Sequence, residues 1–396
     1  MLSLADSGQM GEYGNSFVFQ LPNGHFIIHD GGNSGFDKLG EESDAAKLIT
    51  YLKTLTNGED VYIDAWIISH LHSDHCGALL DLYNSKMKSY RENVYLNALY
   101  INEPNYYAKT VESGNIVELT EKAMSAAMLF AKAPVEDGQE KIKPNVYRIH
   151  TGERYYFDGV TMDVILTQEQ IDPNTTPPRN TSDLPYRFYG DWDAFNATST
   201  TCVFEINSTE DKVYMGGDSN RANMNYIMKA YDNEDAYMYV AHETNSRGET
   251  YDRYTEKIEG TINKTQSSTL SDISVFVALH HGKNTSNGFT KYLFGETDAT
   301  DDLLELVLFP YHQMYEAVKI DEKEVDGIIY KDRYWLEDNS SVFEYKIKTY
   351  NEYLYASANG RYFTYGYEDI TGATKENPHG MVTVTFSTNG IITNLD

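Results

Sequence analysis

Val61-Tyr62-Ile63-Asp64-Ala65-Trp66-Ile67-Ile68-Ser69 runs straight into His70-Leu71-His72-Ser73-Asp74-His75. The first part is a short, mostly apolar run that reads as a buried strand. The second places three imidazoles and a carboxylate within six positions. Imidazole nitrogen and carboxylate oxygen suit zinc and other first-row divalent ions. Burying three imidazoles together without partners for their nitrogens would be costly. Positions two apart on an extended segment point the same way, so His70 and His72 share a side. Asp74 and His75 lie one turn further on and can face a second ion. Gly77-Ala78-Leu79-Leu80-Asp81-Leu82-Tyr83 then reads as a helix.

A His-x-His-x-Asp-His turn between a buried strand and a helix resembles the main signature of the metallo-β-lactamase superfamily. The resemblance implies a four-layer αββα sandwich, with His70 and His72 on one metal and Asp74 and His75 on the other. It implies zinc, one or two ions, with manganese or iron as other ions suited to the same donors. Upstream, Phe17-Val18-Phe19-Gln20-Leu21, the turn Pro22-Asn23-Gly24 and Phe26-Ile27-Ile28-His29-Asp30-Gly31-Gly32 make a hairpin by the usual cues. This opening is similar to the branch that includes the metallo-hydrolase domain of bacterial DNA-uptake competence proteins. There the Asp-Gly-Gly turn lies under the metal site, so Asp30 is expected to orient a ligand from behind.

Further markers follow in the order of that branch. Asn196-Ala197-Thr198-Ser199 matches its Asn-x-x-Ser pattern, which puts Asn196 and Ser199 beside the site. Many relatives carry a third histidine for the first metal hereabouts; this chain has none between His150 and His242. Lys212-Val213-Tyr214-Met215-Gly216-Gly217-Asp218 is a strand ending in Gly-Asp, and Asp218 is the expected bridging carboxylate. Ile273 to Leu279 is a strand that ends in His280-His281-Gly282-Lys283. One of His280 and His281 completes the second metal, and the spacing leaves open which. Lys283, where the branch has serine, would set a cation near an anionic substrate. A competing strand, Ala236 to Glu243, runs into His242 but lacks the second histidine and the glycine.

Composition limits the partners. The chain has 396 residues, with 60 acidic against 32 basic and a net charge of -28, which argues against tight binding to a phosphate backbone. A small anionic substrate is still compatible, because metals supply local positive charge. No apolar run reaches the 18 residues of a transmembrane helix, and no signal peptide is visible. A soluble protein is expected, cytoplasmic or secreted with its leader removed. Cys76 and Cys202 give no disulfide framework. Both read as small buried hydrophobes. Tyrosine is frequent, at 33 residues; this reads as compositional bias, though tyrosine surfaces can also stack on sugars or partners.

The chain is expected to form one metallo-β-lactamase-like domain, with a core over about 2–310, an insertion over about 243–271 and a C-terminal extension over about 311–396. Helices are expected over 41–57 and 118–133, the second stopped by Pro134. Strands are expected over 146–150, 154–157 and 160–166. His150, His25, His29 and His379 take structural roles; His312 is a weaker candidate for the site mouth. The expected function is metal-dependent hydrolysis, phosphodiesterase-like, by a metal-activated water with Asp74 as proton acceptor. The alternatives are a hydrolase of acyl or lactone substrates and a non-catalytic, metal-stabilised surface or ligand-binding protein.

Overall fold

The computed structural model describes residues 2–3, 15–102, 111–136, 138–167, 196, 198–219, 223, 227, 240–244, 250–253, 270, 273–277, 279, 306–309, 317–325, 328–336, 362–364, 383–388 and 390–393. The fold is mixed α/β, built on two seven-stranded sheets. The first sheet comes from the N-terminal third: β1 (Leu2–Ser3), β2 (Asn15–Gln20), β3 (Phe26–His29), β4 (Val61–Ile68), β5 (Val94–Leu96), β6 (Ala98–Ile101) and β7 (Asn145–Arg148). Its order is β1-β2-β3-β4-β6-β7, with β5 also on β4. The hairpin read from Pro22-Asn23-Gly24 is present: β2 and β3 pair antiparallel, Phe17 opposite His29 and Gln20 opposite Phe26. The strands β3, β4 and β6 are parallel, so their C-terminal ends open on one edge.

The second sheet contains β8 (Arg154–Phe157), β9 (Val160–Leu166), β10 (Thr201–Ile206), β11 (Asp211–Met215), β14 (Ile273–Val277), β15 (Leu306–Phe309) and β18 (Tyr362–Thr364). Their order is β18-β15-β14-β11-β10-β9-β8. The strand β18 brings a piece of the C-terminal segment into this sheet, parallel to β15. Three hairpins stand apart: β12 (Val240–Thr244) with β13 (Thr250–Arg253), β16 (Ala317–Val325) with β17 (Ile328–Leu336), and β19 (Val384–Ser387) with β20 (Gly390–Thr393).

Two apolar layers hold these sheets. The outer face of the first sheet gives Phe26, Ile28, Ile63, Trp66, Ile68 and Leu99 to a core shared with helices. Of the helices α1 (Phe36–Leu39), α2 (Asp44–Leu55), α3 (Ser73–Asp81), α4 (Lys88–Arg91) and α5 (Val111–Ala127), it is α2, α3 and α5 that fill it. Ala45, Leu48, Ile49 and Leu52 recur on one side of α2 and are all buried. Ser43 caps that helix, its hydroxyl accepting from Ala46 N at 3.3 Å. The second core lies between the sheets, where Ile27, Ala65 and Ile67 meet Met162, Val164, Phe204, Val275 and Leu308. The sandwich therefore shows helix, sheet and sheet layers. On the far face of the second sheet Tyr214 and Phe276 stack at 5.2 Å.

The helix expected over 118–133 instead spans Val111–Ala127. It stops well before Pro134 because the chain turns to pair with β5. Ala131 bridges to Tyr95, and Leu96 N donates to Ala131 O at 2.9 Å.

Candidate metal centre

Two parallel strands of the first sheet, β3 and β4, deliver functional residues at their C-terminal ends. The strand β3 ends at His29 and hands over to Asp30; β4 ends at Ile68 and hands over to Ser69 and His70. The helix α3 begins directly after His72, which puts Asp74 and His75 in its first turn. From the facing sheet β11 ends at Met215, and the turn Gly216-Gly217 presents Asp218. His70, His75, Asp30 and Asp218 are all buried.

The side chains fall into two triads that share one carboxylate. His70, His72 and Asp218 form one and Asp74, His75 and Asp218 the other, with donor atoms within 4.8 Å of one another in each. His70 Nε2 lies 2.9 Å from His72 Nδ1 and 3.9 Å from Asp218 Oδ2. His75 Nε2 lies 3.1 Å from Asp218 Oδ1 and 3.8 Å from Asp74 Oδ2. Tetrahedral ligands at about 2 Å from zinc stand roughly 3.3 Å from one another, so these spacings bracket what such an ion needs. The two oxygens of Asp218 divide between the triads, as a bridging carboxylate's would.

Behind the triads a polar network fixes the rings. Asp30 sits in the left-handed region at φ 60, and its carboxylate accepts from Ser69 N and Ser69 Oγ, both at 2.8 Å. His75 Nδ1 is 2.8 Å from Asp30 Oδ2. Ser69 Oγ is 3.1 Å from His70 Nδ1. With Nδ1 of both rings turned to this network, their Nε2 atoms face Asp218, and so outer partners set the ligand face of each imidazole. Burial works to lower the pKa of His75, but Asp218, Asp30 and Asp74 around it reverse this and raise it well above the usual range. A buried imidazole among three carboxylates is a place that favours positive charge, whether proton or metal. Burial lowers the pKa of His29, with Asp30 opposing.

Close backbone approaches join the pieces. A Cβ at Gly217, whose φ is 54, would lie 2.8 Å from Ser69 Cβ and Oγ, so glycine lets the Asp218 turn reach the His70 strand end. Thr200 N donates to Ser69 O at 2.8 Å, a second tie between the sheets. A Cβ at Gly77 would come within 2.0 Å of Ser34 N, so α3 rests directly on the loop after Gly31-Gly32.

Other expected residues fall around this centre or outside it. Ser199 Oγ accepts from Asp218 N at 3.1 Å, which positions the shared carboxylate. Asn196 is buried and helical, and its carbonyl accepts from Ser199 N at 3.0 Å. Cys76 faces the helix-covered core, and burial pushes its thiol pKa up, as for a small apolar residue. Cys202 lies in the inter-sheet core, and both cysteines are free. His150 N donates to Glu153 at 2.9 Å, and His25 pairs with Asp64 at 2.8 Å. His280, His281, Lys283, His312 and His379 lie outside the described residues; His242 is on β12. Ser69, Thr200 and Gly217 were not singled out from sequence. The signals were slight: a serine just before the first histidine and a second glycine before the aspartate.

Residues 10–123 match the family model of the metallo-beta-lactamase superfamily. That segment carries Asp30 and the whole run from His70 to His75, while Asp218 lies beyond it. The fold is mixed α/β, and solved structures similar to it include metallo-β-lactamases and a hydroxylase. A motif variant of the metallo-beta-lactamase from Cronobacter sakazakii is 14% identical, covering 52% of this chain and 58% of that one at a TM-score of 0.26. A metallo beta lactamase from Hirschia baltica is 13% identical, covering 59% of this chain and 77% of that one at 0.29. A CmlA beta-hydroxylase variant is 12% identical, covering 57% and 32% at 0.29. The chain spans 58% and 53% of the length of two Cronobacter sakazakii structures, and 32% of the hydroxylase. No curated protein matches the sequence.

Proposed function

We propose that this chain is a metal-dependent hydrolase whose centre takes one or two divalent ions, zinc by donor chemistry, through His70, His72, Asp74, His75, Asp218 and one of His280 and His281. The observation that carries this reading is the pair of triads sharing the buried Asp218, one carboxylate oxygen toward each. A divalent ion held there supplies Lewis acidity and lowers the pKa of a water to about 7. The protein's own groups do the rest. Asp30 and Ser69 hold the imidazoles in their ligand orientation. Asp74 is the more accessible of the two carboxylates, its side chain 22% exposed against 3% for Asp218. It is therefore the group placed to take a proton from an attacking water. Asn196 and Ser199 flank the shared carboxylate, and Lys283 is assigned to the negative charge of the substrate.

The substrate class proposed is a small phosphoester, on the likeness of the Asp30-Gly31-Gly32, Asn196-to-Ser199 and His280-His281-Gly282 segments to the competence-protein branch. Hydrolysis of bis-p-nitrophenyl phosphate with added zinc or manganese tests it, beside a chromogenic lactone and a β-lactam. Turnover of the phosphodiester that chelator abolishes and Asp74→Asn reduces by at least about a hundredfold supports the assignment. Turnover of the lactone alone moves the chain to acyl chemistry. No turnover of any of them by fully metallated protein leaves the non-catalytic, ligand-binding reading.

A further inference from the structure

A cavity of about 630 Å³ is lined by β2, strands of the second sheet and the C-terminal hairpin. Its deep wall is the inner face of the second sheet, where Val213, Met215, Val275, Val277 and Leu308 are buried. Phe17 and Phe19 on β2 close one side, and Val384 and Phe386 of the C-terminal hairpin close the other. Close packing leaves few voids larger than a water inside a protein, and ligand pockets run from about 300 to 1,000 Å³. This space is of ligand size, continuous with the core, and built on different residues from the metal centre.

Its chemistry is selective. Among the described residues, none of those lining it carries a charge, in a chain with 92 charged side chains and a net charge of -28. The polar residues Gln20, Ser208, Thr383 and Thr385 that line it are all exposed, while the depth is apolar. Hydroxyl and amide groups at the rim with hydrocarbon below match a molecule with a neutral polar head and an apolar chain. A carboxylate or ammonium head would meet no opposite charge there and would lose hydration.

We propose that this cavity between β2, the second sheet and the C-terminal hairpin is a binding site for an uncharged, single-chain amphiphile. The assignment does not depend on the metal-centre reading. Its test uses the full chain and the neutral fluorophore N-phenyl-1-naphthylamine, whose emission rises in apolar surroundings. Saturable binding of one dye per chain is expected, unchanged by chelator. Monomyristoylglycerol below its micellar concentration should displace it, and myristate should do so at least about tenfold less well. Ile206 and Val384 are half-buried on the lining, so Ile206→Trp and Val384→Trp fill the space with little disturbance of the core. Each is expected to weaken the dye at least about tenfold, while Ile142→Trp, 66% exposed and off the lining, leaves it unchanged. Circular dichroism and melting check that each variant folds; if Ile206→Trp does not, Val384→Trp decides. Absence of dye binding, binding that ignores both filling variants, or equal displacement by myristate would overturn the proposal.

Discussion

Asp218 is the residue on which both triads depend. Replacing it by alanine removes a donor from each, so metal content should fall below half that of the parent and hydrolysis should be lost. His242→Ala, in the two-stranded hairpin β12–β13, should leave both within about twofold. Elemental analysis of the two purified variants checks this; metal loss in His242→Ala with retention in a His280/His281 double variant would mean that the wrong histidines were assigned. Asp30 acts through His75 and Ser69 rather than on the ion. Asp30→Asn should weaken metal affinity about 10- to 100-fold, measured by competition with a chromophoric chelator, with the fold intact. Gly217→Ala forces a Cβ to 2.8 Å from Ser69 and a left-handed conformation costing about 1–2 kcal/mol. It should lower both melting temperature and metal affinity. The direct donors were legible in sequence, since His70 to His75 are adjacent in the chain and their residue types have few other uses. Ser69 was not legible: a serine says nothing of its partners until the fold brings Asp30, 39 residues away, within 2.8 Å.

At the scale of elements, α2 carries a pH-dependent strain of its own. Asp44, in its first turn, is buried, and burial raises its pKa from about 3.8 to about 7 despite the Asn33 N–H it accepts at 2.6 Å. The folded state therefore binds a proton that the unfolded chain releases near pH 4. Stability contributed here is full below that pH, declines as pH rises toward 7, and is flat above. The span is on the order of 4 kcal/mol at about 1.4 kcal/mol per unit. Asp44→Asn keeps an acceptor for Asn33 N and should flatten that limb. Urea unfolding at pH 5 and pH 8 reads it: the parent should lose more stability than the variant between the two, and equal losses would refute the assignment. Element boundaries were legible where local signals agree. The turn Pro22-Asn23-Gly24 sits between two apolar runs, and Ser43 caps a periodic helix. The end of α5 was not, because it is set by the bridge of Ala131 to Tyr95, a contact between distant segments that overrides the local pattern.

Across the whole molecule, the two sheets and their shared core turn four described segments, carrying Asp30, Ser69 to His75, Ser199 and Asp218, toward one point. The order of markers along the chain agrees with the strands of the first sheet, and the fold brings Asp218 beside His70, His72, Asp74 and His75. That order did not foretell that β18, from the C-terminal segment, would join the second sheet beside β15, or that Val384, Phe386 and Ile391 of the last hairpin would pack on the inter-sheet core. Such pairings join strands far apart in sequence and leave no periodic trace of their partner. The overall charge of -28 sets a further expectation: long polyanions are repelled even if one phosphate fits the centre. Fluorescence anisotropy with duplex DNA at moderate salt should show no binding below about 1 μM, and nanomolar affinity would contradict the small-substrate reading. The account rests most directly on the metal itself. Metal-free protein refolded with zinc, desalted and measured by plasma emission should hold between one and two equivalents per chain, as expected of two triads sharing a carboxylate. It should hold less than about a fifth of that in His70→Ala/His75→Ala. Folded parent protein that retains no zinc, manganese or iron would contradict it.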